Sequence, residues 1–186
     1  SRIWKTALLP VYPHVSRVLV QGGEPTVIKE CKELIALVLS VNPAAKFGLM
    51  TNGLLFNDYW RETFVDHGYE VNFSLNGASQ FTHETINVNS KYAKVLDNLT
   101  RLLELRSARP NSLAIYLSFV IIPENVHEIA DFIELANRLG VHARFFYDAT
   151  RMPEAAASDQ VEKELERSFA AVNAYRTEAS RKSELE

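Results

Sequence analysis

The chain has 186 residues, 47% of them hydrophobic and 10% aromatic, which is enough for one sizeable core. Its net charge of -3 supplies no basic field for nucleic acid, and no apolar run approaches the ~20 residues that span a bilayer. The single Cys31 excludes an internal disulfide framework, and no signal-peptide pattern opens the chain, so the expected compartment is the cytoplasm.

The chain starts at Ser1 and runs directly into Ile3-Trp4 and Ala7-Leu8-Leu9, a pattern of a helix already under way, so a further segment is expected upstream. Arg17-Val18-Leu19-Val20-Gln21 is an apolar strand that ends in Gly22-Gly23-Glu24-Pro25. A glycine pair lets the backbone turn sharply and approach a ligand closely, since neither residue has a Cβ. From Thr26 to Val41, the residues Val27, Ile28, Cys31, Leu34, Ile35, Val38 and Leu39 recur at helical spacing, and Pro43 ends the pattern. Lys46 to Met50 is a short buried strand closed by Thr51-Asn52-Gly53. A helix from Asn57 to Asp66 puts Trp60 and Phe64 on one face, with Gly68 just past its end.

Glu70 to Leu75 is the next strand, closed by Asn76-Gly77, and Ser79 to Asn87 is helical in part. Ser90 is the expected N-cap of a longer helix carrying Tyr92, Val95, Leu96, Leu99, Leu102 and Leu103. Arg109-Pro110-Asn111 breaks it, and Leu113 to Ile122 is the strongest strand pattern of the chain. Asn125 with Glu128 three residues on has the spacing of a capping box. A helix with Ile129, Phe132, Ile133, Leu135 and Ala136 follows and stops at Gly140. Val141 to Tyr147 is the last strand. Residues 151–186 read as a linker and an amphipathic helix with Val161, Leu165, Phe169, Val172 and Tyr175 in its stripe.

Strands separated by single helices imply parallel βαβ units with right-handed crossovers. Five strands suit an incomplete α/β barrel over residues 1–150, or an open doubly wound sheet; the eight strands of a full barrel are not present. In a parallel sheet all carboxyl ends share one rim. Glu24, Thr51, Asn52, Ser74, Asn76, the Ser118 to Pro123 region, and Tyr147 with Asp148 therefore gather there. Singly, such residues are simply turn formers.

Jointly, and in this order, they resemble the radical SAM superfamily. The resemblance rests on Gly22-Gly23-Glu24-Pro25, Leu49-Met50-Thr51-Asn52-Gly53, Phe73-Ser74-Leu75-Asn76-Gly77-Ala78, Thr82-His83-Glu84-Thr85-Ile86-Asn87 and Phe119 to Asn125, and covers about Val18 to Thr150. It implies a partial (β/α)6 TIM-like barrel, here with about five parallel strands because the first is missing, that binds S-adenosylmethionine (SAM) along the strand ends. The segment Gly22, Gly23, Glu24 and Pro25 would hold the methionine ammonium through the Gly23 backbone and the Glu24 carboxylate. Thr51 and Asn52 join this cofactor rim. Ser74 and Asn76 would contact the ribose or the methionine carboxylate. Many relatives carry Asp where this chain has the neutral Asn76. The Ser118, Val120 to Pro123 region would support the adenine, with Phe146 and Tyr147 closing the pocket.

The resemblance further implies an iron-sulfur oxidoreductase that cleaves SAM reductively to a 5′-deoxyadenosyl radical for hydrogen abstraction. It would take electrons from a flavodoxin or ferredoxin and act on a small-molecule or peptide substrate. The chain departs from the family in lacking the Cys-x-x-x-Cys-x-x-Cys segment that holds the [4Fe-4S] cluster. Cluster ligation demands several thiolates, and Cys31 stands alone on an apolar helix face. Two explanations stay open. The cluster segment lies upstream of a fragment that is inactive by itself, or the chain is a radical-SAM-like binding or scaffold domain without a cluster. An unrelated aldolase-like barrel would need a lysine or a metal cluster on the rim, and Lys46 lies instead at a strand start. In relatives a second domain with further cysteines often follows at about the point where this chain stops. The five histidines show no metal-ligand spacing; His83 alone falls on the rim side, as a pocket residue or as a hydrogen bonder at a helix start. Asp148 with Arg151 is expected to form an ion pair.

Overall fold

The computed structural model describes residues 3–109, 112–148, 150, 162–164, 166–170 and 173. The expected linker at 151–157, the Arg151 partner of the expected Asp148 pair and most of the C-terminal stripe lie outside the described residues. The chain runs α1 (Ile3–Thr6), β1 (Arg17–Val20), α2 (Lys29–Val41), β2 (Lys46–Thr51), α3 (Asp58–His67), β3 (Gly68–Ser74), α4 (Gln80–Ile86), α5 (Tyr92–Ser107), β4 (Ala114–Ile121), α6 (Ile129–Leu139) and β5 (His142–Tyr147). Among the described residues five parallel strands form one sheet in the order β1-β2-β3-β4-β5. The order never reverses, so there is no switch point, and the doubly wound alternative falls. Sequential order with a helix after nearly every strand is the wiring of a (β/α) barrel wall.

Two compact units make up the chain, Ser1–Ser74 with Ser90–Tyr116, and Leu75–Asn89 with Leu117–Glu186. In the first unit β1 pairs β2 through Val20↔Leu49, and β2 pairs β3 through Leu49↔Val71 and Thr51↔Phe73. Alternation sorts the side chains onto two faces. Phe47, Leu49, Val71 and Phe73 are fully buried, together with Phe56, Trp60, Phe64, Val95, Leu99 and Leu102 from the helical side. Phe56 meets Phe73 edge-on at 5.2 Å. Burial of each such side chain contributes about 1.5–3 kcal/mol before entropy is charged against it. The other face carries Arg17, Gly48, Met50, Glu70, Asn72 and Ser74, which are more polar. Asn42 ends α2, and its amide donates to the carbonyls of Tyr12 (3.2 Å) and Val15 (2.8 Å), fastening the N-terminal stretch.

In the second unit Phe119 of β4, Phe132 of α6 and Phe145 of β5 form an aromatic cluster with centroids 4.8–5.8 Å apart. Gly140 ends α6 in the left-handed region at φ 65°, as its place in the sequence leads one to expect.

Three local expectations are corrected. The first helical pattern opens as a 3-10 turn over Pro25–Val27, and the α-helix starts at Lys29, because Glu24 caps the turn through the Thr26 N–H. The N-cap of α5 is Lys91, not Ser90, and no side chain caps it. Asn125 and Glu128 do not form a capping box: neither caps the backbone of α6, and both side chains reach across the unit instead.

Candidate cofactor site

Gly22 and Gly23 turn the chain out of β1 with φ of 96° and 49°. A Cβ on Gly22 would meet no atom of the chain within 4 Å, and one on Gly23 only the Ile28 tip at 4.0 Å. Glycine is therefore demanded by backbone conformation, and the turn faces open space where a ligand can reach the main chain. Glu24 follows, half-buried. Its Oε1 accepts from the Thr26 N–H (3.0 Å), the Thr26 hydroxyl (2.6 Å) and the Thr51 hydroxyl (2.7 Å). Its Oε2 accepts from the Asn52 N–H at 2.7 Å. One oxygen is thus crowded with donors, while the other carries a single bond and retains acceptor capacity. A fixed, partly exposed carboxylate of this kind can take an ammonium.

The Thr51-Asn52-Gly53-Leu54 turn is itself braced. Gly53 N–H donates to the Thr51 hydroxyl and Leu54 N–H to the Asn52 side chain, both at 3.0 Å. Gly53 has φ 77°, and a Cβ there would lie 2.6 Å from Phe73 Cδ1 and 2.9 Å from Val95 Cγ1. Behind the turn, Asn98 of α5 donates from Nδ2 to the carbonyls of Gly53 (2.8 Å) and Leu54 (3.1 Å). Arg61 of α3, itself buried, donates to Asn98 Oδ1 (3.4 Å), to Phe56 O (2.6 Å) and to Asp58. Pro25 is buried at the start of its 3-10 turn, and Ser74 is half-buried at the end of β3.

In the second unit Asn76 sits in the left-handed region at φ 57°, which asparagine tolerates better than other residues with a Cβ. Its Oδ1 accepts from the Val120 N–H (2.9 Å), its Nδ2 donates to Asn87 Oδ1 (3.2 Å), and its N–H donates to Ser118 O (3.1 Å). Asn125, fully buried, donates to the carbonyls of Asn76 (3.0 Å) and Val120 (2.9 Å) and accepts from the Ile122 N–H (2.9 Å). The Val120 N–H and carbonyl are both engaged within the chain, which leaves its half-buried side chain as the principal group it offers a ligand. Ser118 is buried, and its carbonyl accepts from Leu75 as well as Asn76. Tyr147 is the last residue of β5, and its side chain lies outside the described residues. Phe146 is 41% exposed.

Glu128 is 6% exposed, and its carboxylate collects four donors. Oε2 accepts from the N–H groups of Ala78 (2.7 Å) and Ser79 (3.2 Å); Oε1 accepts from the hydroxyls of Ser79 (2.5 Å) and Thr82 (2.7 Å). Burial alone would push its pKa up, but the bonds from Ser79, Thr82 and the two backbone N–H groups outweigh it and hold the carboxyl below the usual range. His83 is fully buried in the body of α4, with Nδ1 donating to Leu75 O at 2.6 Å, and burial pushes its pKa down. It acts as a hydrogen bonder of α4, reaching the Leu75 carbonyl just past the end of β3.

Sequence reasoning missed Asn98, Arg61 and Asn72, and gave Asn87 no role beyond its place in a motif. Asn72 is 1% exposed on β3, one strand step below Ser74, and neither side-chain atom has a hydrogen-bond partner among the described residues. The one signal was an asparagine inside the apolar run Val71-Asn72-Phe73. The two explanations for the missing cluster cysteines meet one firm fact. Cys31 is half-buried on α2, and burial, aided by the charges of Glu30 and Glu24, pushes its thiol pKa up. Among the described residues no group of three or more His, Cys, Asp or Glu is placed to hold a metal ion. The single cysteine of this chain does not fit a [4Fe-4S] cluster, which needs several thiolates. No helix among the described residues is long and apolar enough to cross a membrane.

The chain is similar to known proteins in sequence and in fold. GTP 3′,8-cyclase of Syntrophomonas wolfei is 29% identical over 132 residues, covering 70% of this chain and 39% of that protein. The enzyme of the same name from Desulforamulus reducens is 29% identical over 131 residues, with the same shares of 70% and 39%. The chain thus spans 39% of the length of these relatives. SuiB of Streptococcus suis, solved with its precursor peptide SuiA, superposes with a TM-score of 0.61 over 88% of this chain and 36% of SuiB. At 14% identity that likeness is one of fold, the partial TIM-type barrel. Residues 7–136 match the family model of the Radical SAM superfamily, and with most of its length so matched, the chain belongs to the radical SAM superfamily.

Proposed function

We propose that this chain is the SAM-binding core of a radical SAM enzyme and is inactive without cluster ligands from outside it. The observation that carries the proposal is the Glu24 carboxylate at the end of β1. It is pinned by Thr26, Thr51 and Asn52, with acceptor capacity left on Oε2 beside an open glycine turn. Glu24 and the Gly23 main chain bind the methionine ammonium of SAM. Thr51 and Asn52 orient that carboxylate. Ser74 and Asn76 supply neutral polar contacts to the ribose or the methionine carboxylate, where an aspartate in place of Asn76 would repel the latter. Val120, backed by Ser118, offers an apolar support for the adenine, and the end of β5 at Tyr147 closes that side. Held by these residues, SAM would be the source of hydrogen-abstracting radical chemistry, given an electron supplied from outside this chain. No step is assigned to cluster ligands here, because Cys31 cannot provide them.

The enzyme acts in the cytoplasm on a small molecule, accepts electrons from a flavodoxin or ferredoxin, and has GTP as the first substrate to try, since the curated relatives are named for it. The test is calorimetry with SAM on the natural full-length protein, reconstituted anaerobically, followed by an assay for 5′-deoxyadenosine with reductant, with and without GTP. SAM binding with 5′-deoxyadenosine formation supports the reading. A natural protein that carries no further cysteines and binds no SAM refutes it in favour of the scaffold reading.

A further inference from the structure

We propose that Asn98, held by Arg61, is a positioning residue of the ammonium site. This rests on the reading of Glu24 as the ammonium ligand. Asn98 is 3% exposed, on the side of α5 that carries Val95 one turn earlier, where both back the Gly53 turn. The Gly53 carbonyl is buried, with only a long bond from the Phe56 N–H (3.5 Å) besides Asn98, and the Leu54 carbonyl is part-buried; a buried carbonyl poorly paired is costly. Asn98 satisfies both with the two N–H bonds of one amide.

The orientation of that amide is not arbitrary. A guanidinium only donates, so the side facing Arg61 must be the oxygen, and both N–H groups must face the turn. Arg61 is fixed in its own place by Phe56 O and Asp58. From the turn, the bonds run forward to the site. Gly53 N–H meets the Thr51 hydroxyl, the Thr51 hydroxyl donates to Glu24 Oε1, and the Asn52 N–H donates to Glu24 Oε2. Asn98 touches no ligand. It sets where Asn52 and Thr51 stand, and through them which lone pairs of Glu24 stay open. A small displacement of such an orienting group weakens binding out of proportion to its size.

The test compares three variants of the reconstituted full-length protein. Asn98→Leu removes both donors at similar volume. Asn98→Asp keeps the shape and the Arg61 contact while removing the donors, and guards against a folding failure of the first. Val38→Ala, in the fully buried core of α2, is the control for general destabilisation. SAM affinity is read by calorimetry, and backbone hydrogen exchange by mass spectrometry over peptides covering 51–56. Both Asn98 variants are expected to weaken SAM roughly tenfold or more and to speed exchange at 52–54, while Val38→Ala leaves affinity within about twofold. Asn98 variants that bind SAM like the parent, or a control that moves both readouts equally, overturn the proposal. A parent protein that binds no SAM sinks the Glu24 reading instead; exchange alone then judges the positioning claim, and unchanged exchange at 52–54 overturns it.

Discussion

Replacing Glu128 gives the sharpest test of how the second unit is held together. Its carboxylate accepts from two backbone N–H groups and two hydroxyls at 2.5–3.2 Å, and it is almost entirely buried. In Glu128→Ala the hydroxyls of Ser79 and Thr82 can rotate, but the N–H groups of Ala78 and Ser79 cannot. Two orphaned amides at about 1–3 kcal/mol each, partly relieved by water entering the gap, put the loss near 3 kcal/mol. For a chain of this length that corresponds to a fall in Tm of roughly 6–12 °C. Glu128→Gln keeps one oxygen for two of the donors and loses the charge, so about 1–1.5 kcal/mol is expected. The folded pKa is depressed, so the contribution of the charge is fully present above the unfolded value of about 4.3 and is lost as pH falls below it. The gap between the parent and Glu128→Gln should therefore be open at neutral pH and close in acid. Urea denaturation followed by circular dichroism, at neutral pH and again in mild acid, measures both. A Glu128→Ala variant within about 0.5 kcal/mol of the parent would refute the clamp, since no four-bond buried carboxylate could be removed so cheaply.

Other outcomes follow from single sites. His83 is buried and its pKa lowered, so the folded state resists protonation; stability should fall as pH drops below about 6.5, and His83→Gln should flatten that part of the profile in denaturation midpoints. Gly53→Ala puts a Cβ against Phe73 and Val95 in a left-handed backbone, so a loss of about 2–4 kcal/mol is expected in urea denaturation; a loss under 1 kcal/mol would count against the packed turn. β1 ends the sheet, and its Leu19 is 44% exposed, so this chain by itself should associate at raised concentration; light scattering should show Leu19→Lys reducing that association, and a monodisperse parent would contradict it.

Local signals made much of the fold legible. Strand runs such as Val18 to Val20 and Ile115 to Ile121 are apolar at nearly every position, and the helices between them show a clear apolar stripe. Gly22-Gly23 and Gly53 announced turns that need positive φ. What stayed hidden depends on partners far along the chain. Asn125 and Glu128 have capping-box spacing, yet Asn125 also reaches Asn76 and Glu128 reaches Ala78, Ser79 and Thr82, 46–50 residues away, and no local pattern carries that distance. Asn98 beside Asp97 looks like a solvent-facing pair on an amphipathic helix, but a buried turn 44–45 residues earlier turns it inward. Ser90 is a better cap by residue type than Lys91, but the helix starts after Lys91, where tertiary packing overrides that preference.

The central claim is that Glu24 is the ammonium ligand of SAM. It is tested most directly by calorimetric titration of SAM into the reconstituted full-length protein and its Glu24→Gln variant. Glu24→Gln keeps an acceptor for Thr26 and Thr51 but removes the charge and the acceptor of the Asn52 N–H, so the expected result is a folded protein with SAM affinity lowered by roughly tenfold or more, a charge-assisted bond alone being worth about 1.5–3 kcal/mol. A folded Glu24→Gln variant that binds SAM as tightly as the parent would contradict the account and leave Glu24 as a cap of its own turn.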